Sequence, residues 1–75
     1  MKDLLVLIAK SLVDDPSGVS VNEVVDGNNI TLELSVAEGD MGKVIGRQGR
    51  IAKAIRAVIK SAATREGKRV NVEIV

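Results

Sequence analysis

"GKVIGRQGR", Gly42 to Arg50, places three glycines and three basic residues in nine positions, just ahead of a long helical pattern. How this stretch is read decides the fold. A Walker A loop needs Gly-Lys followed by Ser or Thr, but Lys43 is followed by Val44. A dinucleotide fingerprint needs G-x-G-x-x-G directly after a strand, and Gly42, Gly46 and Gly49 do not supply it. What remains is Gly46-Arg47-Gln48-Gly49, a four-residue turn joining two helices. Glycine at each end removes the Cβ where a backbone must pass close, and permits positive φ. Arg47 and Gln48 between them point outward. The first amides of the second helix, at Gly49 and Arg50, are unsatisfied, and the helix dipole is positive there. A phosphate at that end meets free donors together with Arg47 and Arg50. A bare helix–turn–helix corner would use the same residues, so the four-residue turn by itself leaves both readings open.

Working outward, the second helix begins near Gly49 and runs to about Arg65. Ile51, Ile55, Val58 and Ala62, with Ala52, Ile59 and Ala63 beside them, form one broad apolar face, and Lys53, Arg56 and Lys60 cluster on the opposite side. Gly67 ends this helix. Ahead of the turn, Asp40 is suited to cap a short helix reaching Val44 or Ile45. Further upstream, Ile30, Leu32, Leu34 and Val36 alternate with Thr31, Glu33 and Ser35, the pattern of a half-buried strand. "VSVNEVV" before it alternates less cleanly, and Asp26-Gly27 between the two is a favoured hairpin turn, so these strands pair antiparallel. "RVNVEIV" at the other end reads as a third strand. Met1, Leu5, Ile8 and Leu12 recur at helical spacing, giving a helix over residues 2–13 that "DDPSG" terminates through Pro16 and Gly18. Val6, Leu7 and Val13 fall off its main stripe, as in a deeply buried helix or a subunit contact. The order is helix–strand–strand–helix–helix–strand. This is an α+β fold, a three-stranded sheet packed on three helices, as one domain over residues 1–75.

Composition narrows the function. With 75 residues there is no room for a second core, and a chain this short buries only about 60% of its unfolded surface, which favours economy or a partner. There is no cysteine and no histidine, so thiolate sites, the usual general base and the commonest metal ligand are all missing. Catalysis would fall to carboxylates such as Glu38 and Asp40 holding magnesium, and Asp40 is better explained as a cap. The apolar run Leu4 to Ala9 is too short for a signal peptide or a membrane span, so a cytoplasmic location is expected. Net charge is +1, but residues 1–40 carry two bases against eight acids and residues 41–75 carry nine bases against two acids. Such asymmetry fits a polyanion-binding face, and equally two halves that neutralise each other across the fold.

"VIGRQGRI", with Val44-Ile45 before the first glycine and Ile51 two residues after the second, resembles the V-I-G-x-x-G-x-x-I signature of K-homology (KH) RNA-binding domains. The chain departs from it at the end, where the isoleucine comes one position early and Ala52 fills the last place. The element order resembles the type II KH arrangement. The strand "VNEV" and the core "DMGKVIGRQGRIAKAIR" are similar to those of the small single-KH bacterial proteins of the KhpA family.

The resemblance implies a non-enzymatic module in which the turn clamps the backbone of about four nucleotides of single-stranded RNA. Gly46 and Gly49 would admit the strand, and Arg47 and Gln48 would contact phosphates. Lys43, Arg50 and Lys53 would add charge around the groove. Ile45 would belong to its floor, while Val44 and Ile51 are expected mainly in the core. Lys68 and Arg69 are either the far rim or a solvated turn. The resemblance also implies an RNA chaperone or post-transcriptional regulator, self-association as a homodimer, and pairing with a larger KhpB (Jag)-type protein. No cofactor or metal is expected.

The chain has no Phe, Tyr or Trp, so it cannot stack bases on aromatic platforms as RNA-recognition motifs do, which leaves modest affinity per groove. Pairing two such grooves compensates. Ala54, Ala57 and Ser61 form a stripe of small residues on which another helix could sit, so the alternative function is a dimerising adaptor with little RNA binding of its own.

Overall fold

The structure, a computed structural model, describes residues 1–75. Helix α1 (Lys2–Leu12) leads into strands β1 (Ser20–Asp26) and β2 (Asn29–Ser35). Helices α2 (Met41–Ile45) and α3 (Arg50–Arg65) follow, and β3 (Arg69–Ile74) ends the fold. Short 3₁₀ turns at Pro16–Gly18, Glu38–Asp40 and Arg47–Gly49 connect them. The expected order and α+β class are therefore observed, with boundaries shifted by a residue or so. The hairpin loop itself is Gly27-Asn28, since Asp26 still pairs with Asn29, and Gly27 takes φ 62°.

The sheet runs in the order β1-β2-β3, antiparallel between β1 and β2 and parallel between β2 and β3. Parallel neighbours need a long crossover. Here α2, the glycine turn and α3 supply it, which fixes the turn at one end of the helical layer. Strand β2 is central and buries Ile30, Leu32 and Leu34, whereas β1, on an edge, buries only Val21. Leu5, Ala9 and Val13 from the α1 segment, Val44, Ile55, Ile59, Ala63, Val70 and Val72 complete one core.

Three readings change on contact with this packing. Asp40 does not cap α2 through its side chain. It is buried, and its two carboxylate oxygens accept the backbone N–H groups of Asp14 (3.3 Å) and Asp15 (3.0 Å), tying the loop after α1 to the start of α2. The buried line of α3 is Ala52, Ile55, Ile59 and Ala63, about one position round from the expected centre. Val58, expected in the core, is 49% exposed, and Ile51 and Ala62 are half-buried beside it. Lys53, Arg56 and Lys60 consequently flank the core on the β3 side; they do not stand opposite it. No helix is long and apolar enough to cross a membrane.

Candidate nucleic-acid interface

Helix α2 stops at Gly46, which takes φ 75° and ψ 175°, a conformation essentially restricted to glycine. A Cβ there would lie 2.6 Å from Ile51 Cγ1 and 3.0 Å from Ile51 Cβ. The early isoleucine thus has a structural role: it packs over the bare Cα of Gly46 and locks the turn against the first turn of α3. Gln48 (φ 58°, ψ 24°) and Gly49 (φ 72°, ψ 16°) are both left-handed. Gln48 is the sole non-glycine residue with positive φ, and a strained backbone of this kind clusters at functional turns.

This conformation uses the amides expected to be free. Gly49 N–H donates to the Gly46 carbonyl (3.2 Å), and Arg50 N–H donates to the Arg47 carbonyl. The Gly49 and Arg50 amides are thus not open to a ligand, and the groups the turn presents to solvent are its side chains. Arg47 and Gln48 stand exposed at the tip, as anticipated, and Ile45, 37% exposed, offers apolar surface just ahead of Gly46.

The remaining candidates are dispersed. Lys43 is engaged elsewhere: its ammonium is hydrogen-bonded to Asp14 and stands 3.9 Å from Asp40 Oδ1. The Asp14 hydrogen bond, opposed by slight desolvation and reinforced by the charges of Asp14 and Asp40, holds the Lys43 pKa above the ordinary lysine value of about 10.5. Arg50 lies on the α1 side, beside an apolar groove walled by Leu4, Ile8, Leu12, Ile51, Ala54, Ile55 and Val58. Lys53 is exposed on the other flank of α3, at the head of a stripe (Lys53, Arg56, Lys60, Thr64) that follows Gly49 at helical spacing.

That stripe leads to a feature not put in the site from sequence. Between α3 and β3 runs a continuous polar groove lined by Arg56, Lys60, Thr64, Lys68, Arg69 and Asn71 over a floor of Val70 and Val72. Lys68 and Arg69 thus line a groove and are not simply part of a solvated turn. Arg56 and Lys60, expected in a basic cluster opposite the apolar face, line the groove as well. Their helical phase relative to Gly49 was the available signal, but the correct phase requires knowing which line of α3 is buried. No cluster of three or more metal-ligating side chains is present, and the carboxylate of Asp40 is committed to backbone amides.

Two helices joined through a G-x-x-G turn, set between adjacent parallel strands and preceded by a helix and an edge strand, define a type II KH domain. A family model described as "KhpA/KhpB, KH domain" matches residues 2–74, and the chain belongs to that family. Proteins named RNA-binding protein KhpA from Clostridium acetobutylicum and Clostridium perfringens are 67% and 63% identical to it over 75 residues, covering all of both chains. A third so named, from Chlamydia trachomatis, is 49% identical over 74 residues, covering 99% of this chain and 95% of its own. Among solved structures, Aquifex aeolicus Era bound to GDP and aluminium fluoride contains a similar fold. The TM-score is 0.63 at 16% identity, over 97% of this chain and 28% of that one, a likeness of fold alone.

Proposed function

We propose that this chain is a single-stranded RNA-binding protein, without enzymatic activity, that grips the RNA backbone at Gly46-Arg47-Gln48-Gly49. It acts in the cytoplasm as an RNA chaperone or post-transcriptional regulator. The observation that carries this reading is the continuity of one basic flank, from the glycine turn along Lys53, Arg56 and Lys60 to Lys68 and Arg69. The relatives' name, RNA-binding protein, supports the same class of ligand. Arg47 and Gln48 contact phosphates, Lys53 and Lys60 track the backbone, and Ile45 supports the entering nucleotide. Lys43 and Arg50 contribute at longer range, the first through a partly neutralised charge and the second from the far side of α3.

Single strands are favoured over duplex because unstacked bases can lie against the Val70–Val72 floor between α3 and β3, whereas paired bases are held inside their own stack. The test is titration of a labelled single strand and of its duplex at two salt concentrations. The single strand should bind more tightly, with log K falling by roughly 0.7 per neutralised phosphate for each unit of log salt. Equal or tighter duplex binding would contradict the reading.

The apolar groove between α1 and α3 favours a second role. Leu12 and Val58, both exposed, line it, an uncovered apolar surface along the seam of the two helices. This supports homodimerisation through that flank, or pairing with a KhpB (Jag)-type protein, with the basic groove left open on the other side. If RNA binding proves negligible, the adaptor reading takes its place.

A further inference from the structure

The parity of β3 decides what the basic groove can recognise. Arg69 N–H donates to the Asn28 carbonyl and Val75 N–H to the Leu34 carbonyl, so the odd-numbered residues of β3 face β2. The N–H and C=O groups of Val70 and Val72 therefore point to the free edge, which is the groove. Arg56 reaches across from α3, and its Nε donates to the Val72 carbonyl at 3.1 Å in a partly buried contact. No other protein acceptor and no carboxylate engages its guanidinium.

We propose that Arg56 selects the base bound in this groove. With Nε held on the strand edge, the guanidinium is fixed in orientation, and its two Nη groups remain as a planar pair of donors beside the Val70–Val72 floor. Such a pair matches a nucleobase with two adjacent acceptors, cytosine through O2 and N3 or guanine through O6 and N7. Adenine presents alternating donor and acceptor on each edge, and uracil has an N–H between its two carbonyls. Neither matches. The Val72 carbonyl, already occupied, is also withdrawn as an acceptor for the adenine amine. Lys53 and Lys60, which are mobile point charges, lack this planarity and serve phosphates.

This inference rests on the groove being the RNA site, and the experiment separates the two. Anisotropy titrations would compare oligouridylate, oligoadenylate, oligocytidylate and a uridine strand carrying one guanine, with the unaltered protein and with Arg56→Lys. The unaltered protein should favour the cytosine and guanine strands by between about fivefold and a hundredfold, the range of one good bidentate contact. Arg56→Lys keeps the charge but not the planar donor pair, so it should weaken the cytosine and guanine strands by more than oligouridylate and erase the preference between them, with the salt slope kept. A substrate-side test needs no variant: replacing cytidine with 3-deazacytidine, which lacks the N3 acceptor, should lower binding to the oligouridylate level. Equal loss for all sequences in Arg56→Lys, full binding of the 3-deaza strand, or no base preference in the unaltered protein would overturn the assignment while leaving RNA binding intact. Failure of every strand to bind the unaltered protein would instead reject the groove as an RNA site.

Discussion

At Gly46 two constraints coincide, a backbone conformation closed to side chains and a Cβ position already filled by Ile51. Gly49 is under a milder constraint: its φ 72° and ψ 16° is the left-handed conformation that Gln48 also adopts, and a Cβ there would meet nothing within 4 Å. Gly46→Ala should therefore cost about 2 kcal/mol or more, and Gly49→Ala about 1 kcal/mol, as read from urea midpoints. Equal costs would mean the Ile51 contact is unimportant. Gln48 holds a left-handed conformation with no glycine to ease it. Gln48→Gly should raise stability by about 0.5 kcal/mol, because relief of about 1 kcal/mol is partly offset by glycine's freedom in the unfolded chain. Lys43 follows another logic. Its folded pKa is raised, so its contribution to stability is complete below about pH 10.5 and is lost as pH rises through the folded value. Lys43→Met should lower the melting temperature by a constant margin between pH 6 and 9, with the margin shrinking at more alkaline pH. Its effect on RNA affinity should be smaller than that of Lys53→Ala. The two glycines were legible because only glycine suits such turns. The partners of Asp40 and Lys43 were not, because Asp14 and Asp15 come from a loop more than two dozen residues away that only tertiary packing brings near.

Helix α3 carries the division of labour at the scale of elements. One line (Ala52, Ile55, Ile59, Ala63) fills the core, one flank is basic and faces β3, and the other is apolar and faces α1. Its limits and amphipathic character were readable from periodicity and from Gly67, whose φ of 68° accompanies a Lys68 N–H to Ala63 carbonyl bond that closes the helix. Its phase was not, because apolar residues cover more than half of its circumference and the sequence gives no means of choosing the centre. The resulting asymmetry predicts different salt responses. Lys53→Ala and Lys60→Ala should each reduce the salt slope of RNA binding by about 0.7, while Arg50→Ala, on the apolar flank, should change it much less. A slope change for Arg50→Ala matching the lysines would place RNA on the wrong side of α3 for this account.

In the whole molecule, the bases are gathered while the acids are spread. The helix-distal side of the sheet carries Asn22, Glu33 and Glu73, with Asn22 Nδ2 donating to Glu33 (2.8 Å) and Glu33 registered beside Glu73. The nine bases of the second half gather instead on the turn, α3 and the start of β3, with Lys43 the exception. The split between halves was visible in the sequence, but whether it would be neutralised internally was not. The structure contains just two ion pairs, both made by Lys43, so most of the basic charge remains unpaired. The proposed pairing through the apolar flank predicts that Val58→Asp lowers the molecular mass in solution from that of a dimer to that of a monomer, measured by light scattering, without altering the groove between α3 and β3. An unchanged mass would remove that flank as the dimer contact.

The central claim, that the G-x-x-G turn is a phosphate clamp, is tested most directly by anisotropy of a short labelled single-stranded RNA with the unaltered protein and with Arg47→Asp/Gln48→Asp, at low and high salt. Both side chains are exposed and aspartate tolerates the left-handed backbone at position 48, so the variant should keep its thermal transition. The account predicts salt-sensitive binding by the unaltered protein and none by the folded variant. A folded variant that binds as well as the unaltered protein would contradict it.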